Sequence, residues 1–213
     1  MTGVIFDLDG TLLDTLDDLA DAVNVTLNRF GYPPRSREEV RQFVGNGAKM
    51  LMERAVPPGV DPEPALAAFR EYYDANCRHK TGPYPGVLAA LEQIKEVFPV
   101  AIVSNKPDSA VKALCADYFP GCYAMGEHSG CPRKPSPDMV LEAMAAIGVE
   151  TCVYVGDSEV DVQTAQNAGV PCLSVLWGFR TQQELERAGA KFYCDDPAQL
   201  YQRVKDILRL DDR

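Results

Sequence analysis

The chain has 213 residues and a formal net charge of −10, enough length for one substantial core and a smaller second unit. Its 46% hydrophobic and 24% charged residues exclude a disordered polymer. The acidic balance argues against nucleic acid as a partner, because phosphate backbones are bound by an excess of Lys and Arg.

No window is as long and apolar as a membrane span, and the opening "MTGVIFDLDG" lacks a basic start followed by an apolar core. The expectation is a cytoplasmic protein with no membrane partner and nothing to be cleaved. Seven cysteines are scattered and never spaced CxxC, which reads as free thiols in a reducing compartment and not as a disulfide or zinc framework. His79 falls at a polar helix end and His128 in a loop, so neither is assigned a chemical role. Oligomeric state is left as monomer or homodimer.

In chain order, "GVIF" (3–6) is a short buried strand that runs into Asp7, Asp9, Gly10 and Thr11. Residues 15–83 hold no clear strand. They hold four segments with apolar residues at helical spacing, "LDDLADAVNVTLNRFG", "SREEVRQFVG", "GAKMLMERAV" and "PEPALAAFREYYDANCR", punctuated by Gly31, Pro33–Pro34, Gly45–Gly47 and Pro57–Gly59. Helices are then predicted at about 86–97, 107–117, 136–147, 159–168 and 196–209. Between them lie strands at 100–104, 122–125, 152–156 and 172–177. Such alternation predicts a doubly wound, Rossmann-like parallel sheet, residues 1–14 with 84–213, carrying an inserted all-α domain of four helices, residues 15–83.

In open parallel sheets, ligands collect beyond the carboxyl ends of the strands. The first predicted strand ends in "DLDGT" (7–11), the second in Ser104-Asn105-Lys106, and the fourth in Gly156-Asp157-Ser158, with Asp161 four residues after Asp157. The loop after the third carries Lys134 in "RKPSPD". This inventory suits phosphoryl transfer. Asp7 is the candidate nucleophile, forming an acyl phosphate, and Asp9 the acid and base for the leaving oxygen and the attacking water. Clustered carboxylates suit Mg²⁺, with Asp7, Asp157 and the main-chain carbonyl of Asp9 as oxygen donors. Ser104 and Lys134, with Thr11 and Asn105, are the candidates for holding phosphate oxygens. Each motif alone has a plainer reading. Asp-Gly is a common turn, Asp9 and Ser104 could cap helices, and "GDSEVD" could simply open a helix. Lys106 and Asp14 are read as structural.

At these residues the chain resembles the haloacid dehalogenase-like phosphatases, whose four motifs are matched in order by "DLDGT", Ser104 in "VSNKP", Lys134 in "RKPSPD" and "GDSEVD" (156–161). The resemblance implies an aspartyl-phosphate mechanism on Asp7 with Asp9 as acid/base, Mg²⁺ as cofactor, and Asp161 as an organiser behind the ligands. It also implies that the helical insert is a cap over a small phosphorylated metabolite. "FVGNGAKMLMERAV", "YPGV", "SNKP" and "WGFR" resemble phosphoglycolate phosphatases, and the Gly45–Asn46–Gly47 turn is a candidate substrate contact. A sugar-phosphate mutase, a pyrophosphatase and a phosphonate-cleaving enzyme are the alternatives on the same scaffold, with a non-catalytic binding module behind them. The relatives often continue Asp-Ser-Pro after the first motif; this chain has Asp14-Thr15-Leu16 instead.

Overall fold

The computed structural model describes residues 1–211. After β1 (Thr2–Phe6) come a two-residue strand β2 (Leu13–Asp14), helices α1 (Leu16–Arg29), α2 (Arg37–Phe43), α3 (Gly47–Ala55) and α4 (Glu63–Asn76), and a second two-residue strand β3 (Gly82–Pro83). Then follow α5 (Val87–Lys95), β4 (Val100–Pro107), α6 (Asp108–Tyr118), β5 (Tyr123–Glu127), α7 (Asp138–Ala146), β6 (Thr151–Gly156), α8 (Glu159–Ala168), β7 (Cys172–Val175), α9 (Gln182–Arg187), β8 (Phe192–Cys194) and α10 (Leu200–Asp211). The chain divides into two units, Met1–Leu13 with Pro83–Arg213, and Asp14–Gly82.

In the larger unit the sheet order is β5-β4-β1-β6-β7-β8, and the pairings between neighbours are parallel. Successive residues of a strand point to opposite faces, and the sequence uses this on both sides. Val4 and Phe6 of β1, Val100 and Ile102 of β4, and Val153 and Val155 of β6 join one core, with Leu91 and Ile94 of α5, Val111 and Leu114 of α6, and Val204 and Ile207 of α10. Ile5, Ala101, Val103, Cys152 and Tyr154 alternate into the other, with Met139, Val140 and Ala143 of α7 and Ala165 of α8. A near-continuous apolar run is therefore what a strand buried on both faces requires. This is the expected doubly wound sheet.

The order places β1 between β4 and β6. The chain leaves β1 to build β4 and β5 on one side, then returns to build β6, β7 and β8 on the other, which makes β1 the point where the winding reverses. Three adjacent strands thus deliver the loops after residues 6, 107 and 156 to one edge.

Several boundaries differ from expectation. β4 continues past Ser104 to Pro107, with its register against β5 shifting between Val103 and Pro107. β7 stops at Val175, short of Trp177. The short α9 and β8 were not predicted, because a six-residue helix and the three-residue "FYC" are too brief for a period to show.

The smaller unit holds α1 to α4, whose buried faces include Val23 and Leu27, Val40, Leu51 and Met52, and Phe69 and Tyr73. Its α2 starts on a reciprocal cap between Ser36 and Glu39. The carboxylate of Asp18, on α1, accepts the main-chain N–H groups of Lys80 at 3.0 Å and Thr81 at 2.8 Å.

Candidate active site

The turn after β1 is held by its own main chain, with the Leu8 carbonyl accepting from the amides of Leu12 and Leu13 at 3.0 Å and the Leu13 carbonyl from Gly10 at 2.8 Å. Gly10 has φ +88°, and a Cβ there would sit 2.3 Å from Asp157 Oδ2. Only glycine permits both the left-handed turn and this approach. The turn brings Asp7 beside Asp157 and Asp161. One carboxylate oxygen from each lies within 4.8 Å of the other two, and all three residues are buried.

Lys134 enters this cluster from the loop between β5 and α7. Its Nζ is 2.6 Å from Asp7 Oδ1, 2.8 Å from Asp161 Oδ1 and 2.9 Å from the Tyr154 hydroxyl. An ammonium has three N–H bonds, and these partners, with the Val103 carbonyl farther off at 3.4 Å, occupy them. Lys134, a candidate for phosphate oxygens, thus lies between the carboxylates of Asp7 and Asp161. Burial opposes its charge, but Asp161 and Asp7 outweigh that and hold it protonated well above the ordinary lysine value.

Asn105 Nδ2 donates to the Lys134 carbonyl at 3.0 Å and its Oδ1 accepts from the Lys134 N–H at 2.8 Å. Both ends of the amide clamp the lysine's own backbone, which places this phosphate-binding candidate against the Lys134 loop.

Asp161 divides its two oxygens. Oδ2 accepts from the Ser158 hydroxyl at 2.6 Å and the Ser158 N–H at 3.1 Å in a reciprocal cap of α8, while Oδ1 takes Lys134 and, at 3.1 Å, the Tyr154 hydroxyl. One side chain of "GDSEVD" thus both opens α8 and meets Lys134.

Asp157 is 1% exposed. Its Oδ2 accepts from the Phe179 N–H at 2.6 Å and its Oδ1 from the Thr11 hydroxyl at 3.4 Å. Thr11, another phosphate-binding candidate, is therefore turned to Asp157. No ion-pair partner reaches Asp157 among the described residues. Burial first, then the charges of Asp161 and Asp7, push its carboxyl well above the usual range. Burial likewise raises Asp7, to about 7; Lys134 pulls it back, and Asp161 and Asp9 push it further. Three buried carboxylates around one ammonium are an electrostatic deficit. The donor set, hard oxygens without softer ligands, fits Mg²⁺.

Asp9 stands apart from the trio. Its Oδ1 is 3.2 Å from Lys106 Nζ, a charge contact not aligned as a hydrogen bond. Its Oδ2 is at the outer limit from the Ser104 hydroxyl, 3.5 Å. Lys106, read from the sequence as structural, faces the proposed acid/base.

The "WGFR" turn supplies a wall that sequence reasoning left without a role. Trp177 Nε1 donates to the Thr11 carbonyl at 3.0 Å, the Phe179 amide holds Asp157, and Arg180 Nε pairs with Glu159 at 2.7 Å. Between them Gly178 is squeezed, and a Cβ there would lie 2.4 Å from the Gly10 carbonyl and from Asp157 Cβ. In the smaller unit, Gly45 and Gly47 take φ +122° and +80°, and Asn46 Oδ1 accepts from Arg54 at 2.9 Å.

Residues 4–175 match the profile of haloacid dehalogenase-like hydrolases. The chain belongs to that family. It is 36% identical over 207 residues to a phosphoglycolate phosphatase of Pseudomonas putida, spanning 91% of this chain and 76% of that protein. With a phosphoglycolate phosphatase of Rhodobacter capsulatus it shares 39% over 204 residues, 89% of this chain and 91% of that one. A crystal structure from Lactobacillus delbrueckii subsp. bulgaricus matches with a TM-score of 0.90 at 35% identity, covering 95% of this chain and 97% of the other. By class, this haloacid dehalogenase-like hydrolase is a phosphoric monoester hydrolase.

Proposed function

We propose that this hydrolase is a Mg²⁺-dependent phosphatase that cleaves a small phosphomonoester, 2-phosphoglycolate foremost, through an aspartyl phosphate on Asp7. The relatives' own names support the substrate. The observation that carries the chemistry is Asp157, a buried carboxylate beside Asp7 with no cation at ion-pair distance among the described residues, the Arg180 charge acting on it only from farther off.

Asp7, Asp157 and the main-chain carbonyl of Asp9 would hold the ion. A bound Mg²⁺ would offset the repulsion between a carboxylate nucleophile and a phosphate dianion. Asp161 holds Lys134, which donates to Asp7 Oδ1, so the attack of Asp7 on phosphorus would lose little orientational freedom. As the ester bond breaks, Asp9 gives its proton to the leaving oxygen. It then takes a proton from the water that cleaves the acyl phosphate, returning Asp7 to a carboxylate. Asp9 sits outside the buried trio and beside Lys106, which suits a group that must exchange protons twice. Ser104 and the amides of this edge are the proposed phosphate donors. The Gly45–Asn46–Gly47 turn of the insert, proposed as a cap, is the proposed reader of the substrate's anionic end.

The test is phosphate release from 2-phosphoglycolate, hexose phosphates, nucleotides and pyrophosphate, with Mg²⁺ and after chelation. Turnover should be best on 2-phosphoglycolate and should vanish on chelation. Asp7→Asn should lower it by about a thousandfold or more while the circular dichroism stays unchanged. Acid-quenched enzyme should carry phosphate on Asp7. Residual activity within about tenfold of the parent would rule out Asp7 as nucleophile, and equal rates on all esters would remove phosphoglycolate as the substrate.

A further inference from the structure

A second cluster of donor atoms lies outside the aspartates. His128, Cys131 and Glu142 each place one ligand-type atom within 4.8 Å of the other two. His128 and Cys131 are half-buried on the loop between β5 and α7, and Glu142 is on the exposed side of α7. We propose that these three side chains bind a borderline-soft divalent cation of the Zn²⁺ class, with water completing a four-coordinate site.

The orientation of the histidine is the first support. His128 Nδ1 lies 2.9 Å from the Gly126 carbonyl. A carbonyl oxygen only accepts, so Nδ1 carries the proton and Nε2 is left facing the other two residues. Fixing one ring nitrogen on a carbonyl so that the other can ligate is the usual second contact of a metal-binding histidine. The carbonyl is itself fixed. The Gly126 amide donates to Asp108 at 3.0 Å, and a Cβ at Gly126 would lie 2.4 Å from the Lys106 carbonyl.

The spacing is the second. His128 Nε2 and Glu142 Oε2 are 3.5 Å apart. Bonds of about 2.1 Å in a tetrahedral site put ligand atoms roughly 3.4 Å from one another, so this pair already spans one edge. Cys131 needs only a side-chain adjustment on a partly exposed loop to close the other two.

The donor chemistry is the third. One thiol, one imidazole and one carboxylate are a poor set for Mg²⁺, which takes oxygen, and a good one for Zn²⁺ or Co²⁺. The two sites therefore select different ions. The consequence reaches the proposed active site, because the loop from His128 to Pro137 also carries Lys134. A cation joining His128 and Cys131 to Glu142 would pin that loop to α7.

The test uses the full chain, reduced and stripped of metal, in saturating Mg²⁺ so that the carboxylate site is filled. One equivalent of Co²⁺ should give the near-ultraviolet charge-transfer band of a single thiolate–cobalt bond, and Zn²⁺ should displace it. Cys131→Ser should abolish the band, while Cys122→Ser, at another half-buried thiol, should keep it. His128→Ala and Glu142→Gln should each weaken Co²⁺ binding at least tenfold. Zn²⁺ should raise the melting temperature of the parent but not of Cys131→Ser, a near-isosteric variant at a partly exposed position. Absence of the band at one equivalent, or its survival in Cys131→Ser, would leave His128 and Glu142 as a surface ion pair with a neighbouring thiol and overturn the proposal.

Discussion

Gly178 shows how far the candidate site depends on residues that bring no functional group. It lies where the turn after β7 crosses the turn after β1, and a methyl group there would enter the space of both the Gly10 carbonyl and Asp157. Gly178→Ala must push one of them aside, and both border the proposed nucleophile. Phosphate release should fall at least tenfold in this variant, with a melting temperature within a few degrees of the parent. Unchanged kinetics would show that the crossing does not position Asp157. Tyr154 is a second residue of this kind. Its hydroxyl contacts both Lys134 and Asp161 in a fully buried setting, so Tyr154→Phe should cost about 1–3 kcal/mol in urea unfolding. The places of Asp7, Asp9 and Asp157 were legible because each stands just past a strand, that of Lys134 because it lies in a loop feeding a helix, and that of Asp161 because it follows Asp157 by four residues in the first turn of α8. Tyr154 was not, because inside "CVYVG" it reads as one more core residue. Nor was the amide of Phe179, since a main-chain donor leaves no trace in side-chain identity.

At the scale of elements, the strands buried on both faces were the most legible part of the chain, because apolar runs such as "VAIV" have little other use. Their ends were less so. β4 continues to Pro107 because its edge still meets β5 after the register shift, and pairing of that kind depends on a partner some twenty residues away. The helical insert was visible through its apolar spacing and its Gly and Pro punctuation. What ties its beginning to its end was hidden. Asp18 sits on α1 and receives the amides of Lys80 and Thr81, at the far end of the same unit. Asp18 is 4% exposed and Thr81 6%, so truncating the carboxylate would strand main-chain donors where water cannot easily replace it. Asp18→Ala should destabilise the protein by about 2 kcal/mol in denaturant melts, whereas Asp17→Ala, at an exposed ion pair with Arg37, should change it by less than about 1 kcal/mol. Equal effects would mean that the Asp18 contacts do not close the unit.

For the molecule as a whole, charge decides how stability follows pH. A net charge of −10 spread over the surface is screened by salt, but the aspartates beneath β1 are not, because they are buried. The unfolded chain gives up the Asp7 proton near 3.8, whereas the folded chain holds it to about 7. Between those values the native state binds more protons, so raising the pH through this window favours unfolding. Asp157 is raised too and acts in the same direction, while Lys134 stays charged throughout. In the metal-free protein this contribution to stability should therefore be fullest near pH 4 and be lost as pH rises to 7. The other carboxylates of the unfolded chain lose their protons at the lower end of the same range, so the total curve alone does not isolate the site. Asp7→Asn does, since it removes that proton equilibrium while keeping the side chain's size. The unfolding free energy of the parent minus that of Asp7→Asn, followed in chelator from pH 4 to 7, should decline with pH. Adding Mg²⁺ favours the ionised carboxylates and stabilises only the folded chain, so the same difference should then rise with pH. A difference that stays flat in both conditions would mean that Asp7 ionises in the folded protein as it does in the unfolded one. The buried trio would then not be the place where a divalent ion is bound.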